Sequence, residues 1–512
     1  MVYFIYIAIF IFIFWWYNTR KFNYWTTRGI KHEKPVLFLG TYGNMYIQKQ
    51  NRSQIVEELY WKYPNEKVVG AFKSTTPELI IRDPDLIKDI LIFHFPSFYS
   101  RGFNHSNDVE ILRKHLIAID GDLWRMLRQR MTPAFTSGKL KAMFPLIVER
   151  CEKLQASTLT AVARNNTLDA RELMSRYTME VIGACGFGID TNTLNDGNAA
   201  FLQLGKNILN MTPTKAIFLL LKDMFPYFEK RFNSFLEIES QFLSLVNHII
   251  KERNYKPCGR NDFIDLMLEY LNKPMEAESM EKVGDGKNPV KVKMIMDVNL
   301  FAAQVFIFFS AGFETSASST SYTLHLLAIN PDVQKKVQYD IDLVLRKYNG
   351  TLSYESIQEM TYLEWAYKEA LRIFPSAGYL MRRSTNIFRF KDINLEIDER
   401  VNIIIPIQAL HMDPKYWENP EEFRPERFHP DNFGATQKNV YFPFGEGPRN
   451  CIGSRLGLMQ SMAGLAAILS MFTVEPAPET VRHPKIDPKS NIIQSIIGGL
   501  PLIFRERKKS VN

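Results

Sequence analysis

Residues Met294–Asn330, MIMDVNLFAAQVFIFFSAGFETSASSTSYTLHLLAIN, constrain the fold of this 512-residue chain more than any other stretch. The run is apolar at nearly every helical phase, and Pro331 stops it. As a helix it would reach on the order of 50 Å. A helix that is apolar all round has no face to give to water, so it should cross the centre of a large core. Polar residues nevertheless interrupt it at AGFETS, Ala311–Ser316. Burying Glu314 is costly without compensation, whereas Thr315 can return a hydrogen bond to its own helix.

The elements around this run fit a mainly α chain with small β-sheets, an α+β class. Periodicity is mostly helical from about residue 85 to 375, and Glu229–Asn254 reads as a long amphipathic helix. Residues 273–293 are charged, carry Gly and Pro, and read as an exposed loop. Strands are expected within Lys67–Asp83 and in VNIIIPI after Pro375. The 37 Phe and 20 Met residues suit a large, adaptable apolar interior. A net charge of +8 spread over such a length suits an anionic membrane or an acidic partner. With no arginine-rich tract or zinc-finger spacing, no nucleic-acid partner is expected.

The N-terminus bears on location. Val2–Tyr17, VYFIYIAIFIFIFWWY, is uncharged, and Arg20 and Lys21 follow it. As a helix it spans about 24 Å, which suits a thin bilayer such as that of the endoplasmic reticulum. The basic residues then hold the bulk of the chain on the cytosolic face, and Trp15, Trp16 and Tyr17 form an interfacial belt. The rival is a cleaved signal peptide. Against it, no basic residue precedes the run and no small-residue cleavage site follows. Residues 1–19 are therefore read as an anchor, 20–45 as a stem, and 46–512 as one catalytic domain. Ala216–Phe228 is interrupted by Lys222, Asp223 and Pro226, and reads as a buried helix or a surface that dips into lipid. The four cysteines form no CxxC pair, which favours a reducing compartment over a disulfide scaffold.

One of those cysteines lies in PFGEGPRNCIGSRLG, Pro443–Gly457. Gly445, Gly447 and Gly453 let backbone amides approach the Cys451 sulfur. Arg449 adds positive charge, and a helix beginning just beyond directs its dipole at the sulfur. A lone thiolate in such surroundings suits the axial position of a haem better than zinc. The spacing of Phe444, Gly447, Arg449, Cys451 and Gly453 resembles that of the cytochrome P450 superfamily. YWTTRGI, RYTMEVIGACGFGID, NDFIDLM and AGFETS look similar to insect microsomal family 6, in one clan with the vertebrate drug-oxidising family 3.

The resemblance implies a cytochrome P450 fold with haem b between the long central helix and the cysteine loop. Cys451 would be the axial iron ligand, with Phe444, Gly445, Gly453, Ala311 and Gly312 beside the cofactor. Trp124, Arg128, Arg449 and Arg382 would meet its propionates, with His115 as a further candidate. Glu369 and Arg372 of EALR, with Arg427 of PERF, would form a structural triad. Glu314 and Thr315 would relay protons during oxygen activation. Phe308, Ser310 and Ala377 would line the substrate pocket, while Phe306 and Phe309 fit pocket or core equally. One departure is FPSAG, which replaces the paired prolines expected after EALR and bears on substrate choice. KPVLFLGTYGN lacks a second proline after the stem, which bears on the hinge.

The implied activity is monooxygenation of lipophilic substrates: xenobiotics, insecticides, plant toxins, hormones or fatty acids. Dioxygen is the co-substrate. Electrons would come from NADPH–cytochrome P450 reductase, with cytochrome b5 as a second donor. The rivals are a haem-thiolate isomerase or dehydratase acting on peroxides, and a non-catalytic haem binder. The intact Glu314–Thr315 pair argues against both.

Overall fold

The computed structural model describes residues 2–103, 110–197, 199–209, 211–225, 236–281, 290–490 and 493–508. Its helices of ten residues or more are α1 (Val2–Thr19), α2 (Arg52–Lys62), α3 (Gly121–Met131), α4 (Ser137–Arg164), α5 (Ala170–Ile182), α6 (Ala200–Leu209), α7 (Pro213–Met224), α8 (Leu236–Glu252), α9 (Val298–Ile329), α10 (Pro331–Lys347), α11 (Thr361–Ile373) and α12 (Ser454–Met471). The strands are β1 (Val68–Lys73), β2 (Thr76–Ile81), β3 (Thr167–Asp169), β4 (Pro274–Glu278), β5 (Lys291–Ile295), β6 (Leu380–Arg383), β7 (Phe388–Phe390), β8 (Leu395–Ile397), β9 (Asn402–Ile405), β10 (Phe472–Pro476) and β11 (Pro501–Glu506). The mainly α expectation holds.

The central helix α9 is shorter at its start than its sequence pattern. Met294 and Ile295 belong to β5, and the Asp297 side chain caps the helix by accepting from the Leu300 N–H at 2.7 Å. Pro331 opens α10 instead of extending α9. Most of α9 is buried, including Ser318, Thr320 and Thr323. Their hydroxyls find acceptors: Thr320 donates to the Ser316 carbonyl at 2.6 Å and Thr323 to the Ser319 carbonyl at 2.7 Å. Ser318 donates to the Gln494 carbonyl at 3.1 Å. Returning bonds to the backbone makes a polar stretch compatible with a dry core.

Residues 273–293 depart from the expected loop. Their two ends pair as antiparallel β4 and β5, from Pro274 opposite Ile295 to Glu278 opposite Lys291. Alternating burial along β4 supplies the apolar face that the surrounding charges obscure in sequence. Of the expected helix Glu229–Asn254, the portion 236–252 is helical, and residues 229–235 lie outside the described residues. In α7, Ile217 and Leu221 are exposed and Lys222 is buried.

A four-stranded sheet in the order β1-β2-β9-β6 carries Arg382 toward the middle of the molecule. It is locked to α2 by a buried ion pair, Arg52 with Glu78, at 2.6 Å. Asn402 on β9 also donates to Glu78, at 2.8 Å. Burial raises the Glu78 carboxyl, but the Arg52 and Lys73 charges and these bonds outweigh it, leaving the group below the usual carboxylate range.

Glu78→Ala strands a buried guanidinium and should cost about 3–5 kcal/mol, read from the midpoint of urea unfolding. Because the folded carboxyl titrates low, its stabilising contribution is complete above the ordinary carboxylate range. That contribution disappears as pH falls through the lowered value, and Glu78→Ala should lack this acid-sensitive component.

Candidate functional site

The cysteine loop is built by two left-handed glycines. Gly445, at φ 72°, closes a turn in which its N–H donates to the Phe442 carbonyl at 2.8 Å. Gly447, at φ 74°, passes so close to Leu91 that a Cβ would lie 2.0 Å from the Leu91 carbonyl oxygen. The loop then returns, with the Cys451 N–H donating to the Phe444 carbonyl at 2.8 Å. Gly453, two residues beyond the sulfur, is the N-cap of α12. The Cys451 surface is accessible, yet burial raises its thiol above the ordinary value. The opening it faces is therefore an interior one. The Gly453 N–H and the charges of Arg101 and Arg128 pull the other way.

Arginines converge on this opening. Arg449 is buried, with Nη2 donating to the Ile119 carbonyl and to Asp120 Oδ1, both at 2.8 Å. Among the described residues its Nε and Nη1 have no hydrogen-bond partner, and its guanidinium carbon lies 4.4 Å from the Trp124 ring centroid. Burial and the neighbouring Arg101 push Arg449 down to about 9. Arg382 is also buried; Nη1 meets the Met381 carbonyl at 2.9 Å and Nε has no partner. Burial, Arg101 and Arg449 hold it well below its ordinary value. Arg128 bonds the Asn450 carbonyl at 2.8 Å and the Asn450 side chain at 2.7 Å, next to the cysteine.

Arg101 belongs to the same group and carries no sequence motif. Its Nη2 donates to the Arg449 carbonyl at 2.7 Å, and burial lowers it to about 10. An isolated bridge between Ser100 and Arg383 brings it beside Arg382, a juxtaposition that sequence spacing does not disclose. Uncompensated buried guanidiniums are costly. Unpartnered N–H groups on Arg101, Arg382 and Arg449 beside an accessible thiol fit a group that offers carboxylates on one side and a soft-metal centre on the other.

The triad forms as expected. Arg372 meets Glu369 through Nε at 2.8 Å and Nη2 at 2.9 Å, both side chains fully buried. Arg427 Nε reaches Glu369 Oε1 at 3.1 Å. Arg372 also donates to the His411 carbonyl at 2.8 Å. His411 was not singled out in the sequence. Burial and Arg372 drive it to about 3, so it stays neutral, and its Nε2 accepts the Phe442 N–H at 3.3 Å. The triad thus reaches the first residues of the cysteine loop.

In the middle of α9, Phe306, Ile307, Ser310, Ala311, Gly312, Glu314 and Thr315 are partly accessible within a mostly buried helix. Thr315 Oγ1 donates to the Ala311 carbonyl at 2.7 Å. Glu314 pairs with Arg171 on α5. Burial raises the Glu314 carboxyl despite the opposing Arg171 and Lys206 charges.

The structure adds to the expectations at several positions of α9. A Cβ on Gly312 would sit 2.4 Å from Ile182 Cδ1 of α5, so this glycine also lets α5 pack closely on α9, while it stays partly accessible. Phe308 stacks on Phe263 at 4.2 Å and belongs to the core. The pocket candidate is its neighbour Ile307, four residues before Ala311 and eight before Thr315; that spacing was the overlooked signal. Phe309 is also core, packed on Phe201 at 4.8 Å. Phe306 is half-buried, 5.3 Å from Phe242, and 6.1 Å from His115. Ala377 is half-buried in the turn after α11.

Comparison with known proteins adds a family. The profile described as Cytochrome P450 matches residues 31–498. The chain is 36% identical over 490 residues to cytochrome P450 6B6 of Helicoverpa armigera, covering 95% of each. It is 36% identical over 496 residues to cytochrome P450 6a2 of Drosophila melanogaster, covering 94% of this chain and 95% of that one. Cytochrome P450 6B1 of Papilio polyxenes is 35% identical over 477 residues, 92% of this chain and 93% of its own.

Phe308→Ala should lower stability by about 3–5 kcal/mol in urea unfolding while leaving ligand affinity nearly unchanged. Ile307→Phe should do the opposite, keeping stability and shifting the affinity of bulky apolar ligands about tenfold. Ligand-induced absorbance changes read the second effect.

Proposed function

The chain belongs to the cytochrome P450 family, and on that premise we propose how its residues divide the work. It is a haem-thiolate monooxygenase that uses haem iron, dioxygen, a substrate and a redox partner. Bound haem iron supplies the oxygen-activating chemistry that places one oxygen atom on the substrate. The cofactor is haem b. Cys451 would hold its iron through the thiolate sulfur, with Phe444, Gly445 and Gly453 shaping the loop around it. Arg449, Arg382, Arg128 and Arg101 would receive its carboxylates, and Trp124 packs against Arg449. The observation that carries this reading is the set of unpartnered buried guanidinium N–H groups beside an accessible Cys451 sulfur.

Thr315 and Glu314 manage protons. The Thr315 hydroxyl spends its hydrogen on the Ala311 carbonyl and keeps oxygen lone pairs for accepting another. Glu314 is the adjacent acid, and burial makes its carboxyl a better proton store than a surface one. Ile307, Ser310, Ala311 and Ala377 offer a small, mainly apolar lining. Such a lining orients lipophilic substrates by shape and excludes water. Xenobiotics, insecticides and plant toxins fit that chemistry, as do hormones and fatty acids.

Electrons come from NADPH–cytochrome P450 reductase, with cytochrome b5 as a second donor. Residues 1–19 anchor the protein in the endoplasmic reticulum membrane, 20–45 form the stem, and 46–512 form the catalytic domain on the cytosolic face. Exposed Tyr3, Phe4, Ile5, Phe12 and Trp16 on α1 support that anchor, because nothing described in the chain covers them.

Carbon monoxide added to the reduced protein should give the red-shifted Soret band of thiolate ligation, and Cys451→His should lose it. A mutant that retains the band refutes the axial assignment. Thr315→Ala should bind haem but divert NADPH electrons to peroxide; peroxide yield equal to wild type would reject the proton role.

A further inference from the structure

The turn Phe374–Gly378, between α11 and β6, touches the Thr315 segment through one side chain. Ser376 Oγ donates to the Thr315 backbone carbonyl at 3.1 Å. From the other side, Gln460 on α12 donates through Nε2 to the Gly312 carbonyl at 2.9 Å and to Ser316 Oγ at 2.5 Å. The turn of α9 that carries Thr315 is therefore gripped on two sides, at carbonyls three residues apart. Hydroxyl back-bonding of the Thr315 kind loosens and bends helices, so external bonds at this turn have something to restrain.

Ser376 is itself held. The Gln494 N–H donates to the Ser376 carbonyl at 2.8 Å, and Gln494 Nε2 donates to the Pro375 carbonyl at 2.8 Å. Gln494 Nε2 also meets Gln408 Oε1 at 3.1 Å, and the Gln408 N–H donates to the Gly378 carbonyl at 3.0 Å. The Gln494 carbonyl in turn accepts from Ser318 Oγ at 3.1 Å and from the Tyr322 hydroxyl at 3.4 Å, both on α9. Gln494 is buried, so these bonds are not traded with bulk water. A proline or alanine at position 376 would leave the Gln494 contacts possible but offer no donor to Thr315.

We infer that Ser376 is a positioning residue for Thr315, backed by Gln494, and that it sets how tightly this chain couples electron flow to product. This rests on the proton role of Thr315 proposed above. Ser376 does not touch the reacting atoms in this reading. It keeps the Thr315 turn from drifting and so keeps the hydroxyl in one place while protons are delivered.

The test uses reductase-reconstituted holoenzyme bearing Ser376→Ala, Ser376→Thr, Thr315→Ala, or Ser376→Ala with Thr315→Ala. Ser376→Ala should keep the carbon monoxide band and the thermal midpoint. Amide hydrogen exchange over residues 312–319 should speed up about fivefold, as expected for loss of one ordinary hydrogen bond. Peroxide formed per NADPH should rise, and Ser376→Thr, which keeps the hydroxyl, should restore both readouts. In the Thr315→Ala background, Ser376→Ala should add no further peroxide. Unchanged exchange over 312–319 overturns the inference, as does a peroxide increase fully additive with Thr315→Ala. Wild-type peroxide in Thr315→Ala alone would instead overturn the proton role, while the exchange result still judges whether Ser376 holds this turn.

Discussion

The Glu369 carboxylate is the point on which the cofactor side of the molecule is hung. It sits where water cannot reach and accepts from Arg372, Arg427 and the Arg424 N–H. Each of those donors brings a different part of the chain: α11, the PERF turn, and the segment leading into it. Arg372 extends the reach through the His411 carbonyl, and neutral His411 accepts from Phe442. A buried pair of this kind contributes little net stability over a hydrophobic replacement. What it contributes is register, since every bond has a direction and the glycines of the cysteine loop tolerate few backbone paths.

Electrostatics on the other side of the loop runs against stability. Arg101 lowers the proton affinity of both Arg382 and Arg449, Arg449 lowers that of Arg382, and Asp120 forms an ion pair with Arg449. Nε of all three is buried without a partner. Holding such groups apart from solvent is costly, and a bound anionic group would offset that cost. The Arg101 and Arg128 charges favour an ionised Cys451, against the burial that raises it. The thiol and the arginines are thus two parts of one electrostatic arrangement, the one proposed above to receive an anionic, metal-bearing group.

The central helix meets two demands that conflict in principle. It must cross a dry core, and it must present hydroxyls and a carboxyl at one turn. Back-bonding hydroxyls resolve the first demand for Thr320 and Thr323, and the Arg171 partner resolves it for Glu314. Packing resolves the second. Phe308 and Phe309 turn into the core, and Gly312 admits Ile182, while Ile307, Ala311, Gly312 and Thr315 stay partly accessible. One residue of helical phase, about 100°, separates Phe308 from Ile307 and core from pocket.

The sequence by itself determined the family, the reaction class and the centrality of α9, and it marked out the triad residues. These depend on residue types at short spacings, or on an apolar run too long to be placed elsewhere. It also brought out the Cys451 loop as the place where glycine conformations and charge converge. Only the tertiary structure decided that Arg101 joins the other arginines, that His411 links the triad to the loop, that β4 and β5 pair across a charged stretch, and that Ser376 grips Thr315. Each of those is a contact between residues tens to hundreds of positions apart. No local pattern encodes such a contact, because the partner becomes a neighbour only after the helices and sheets have packed.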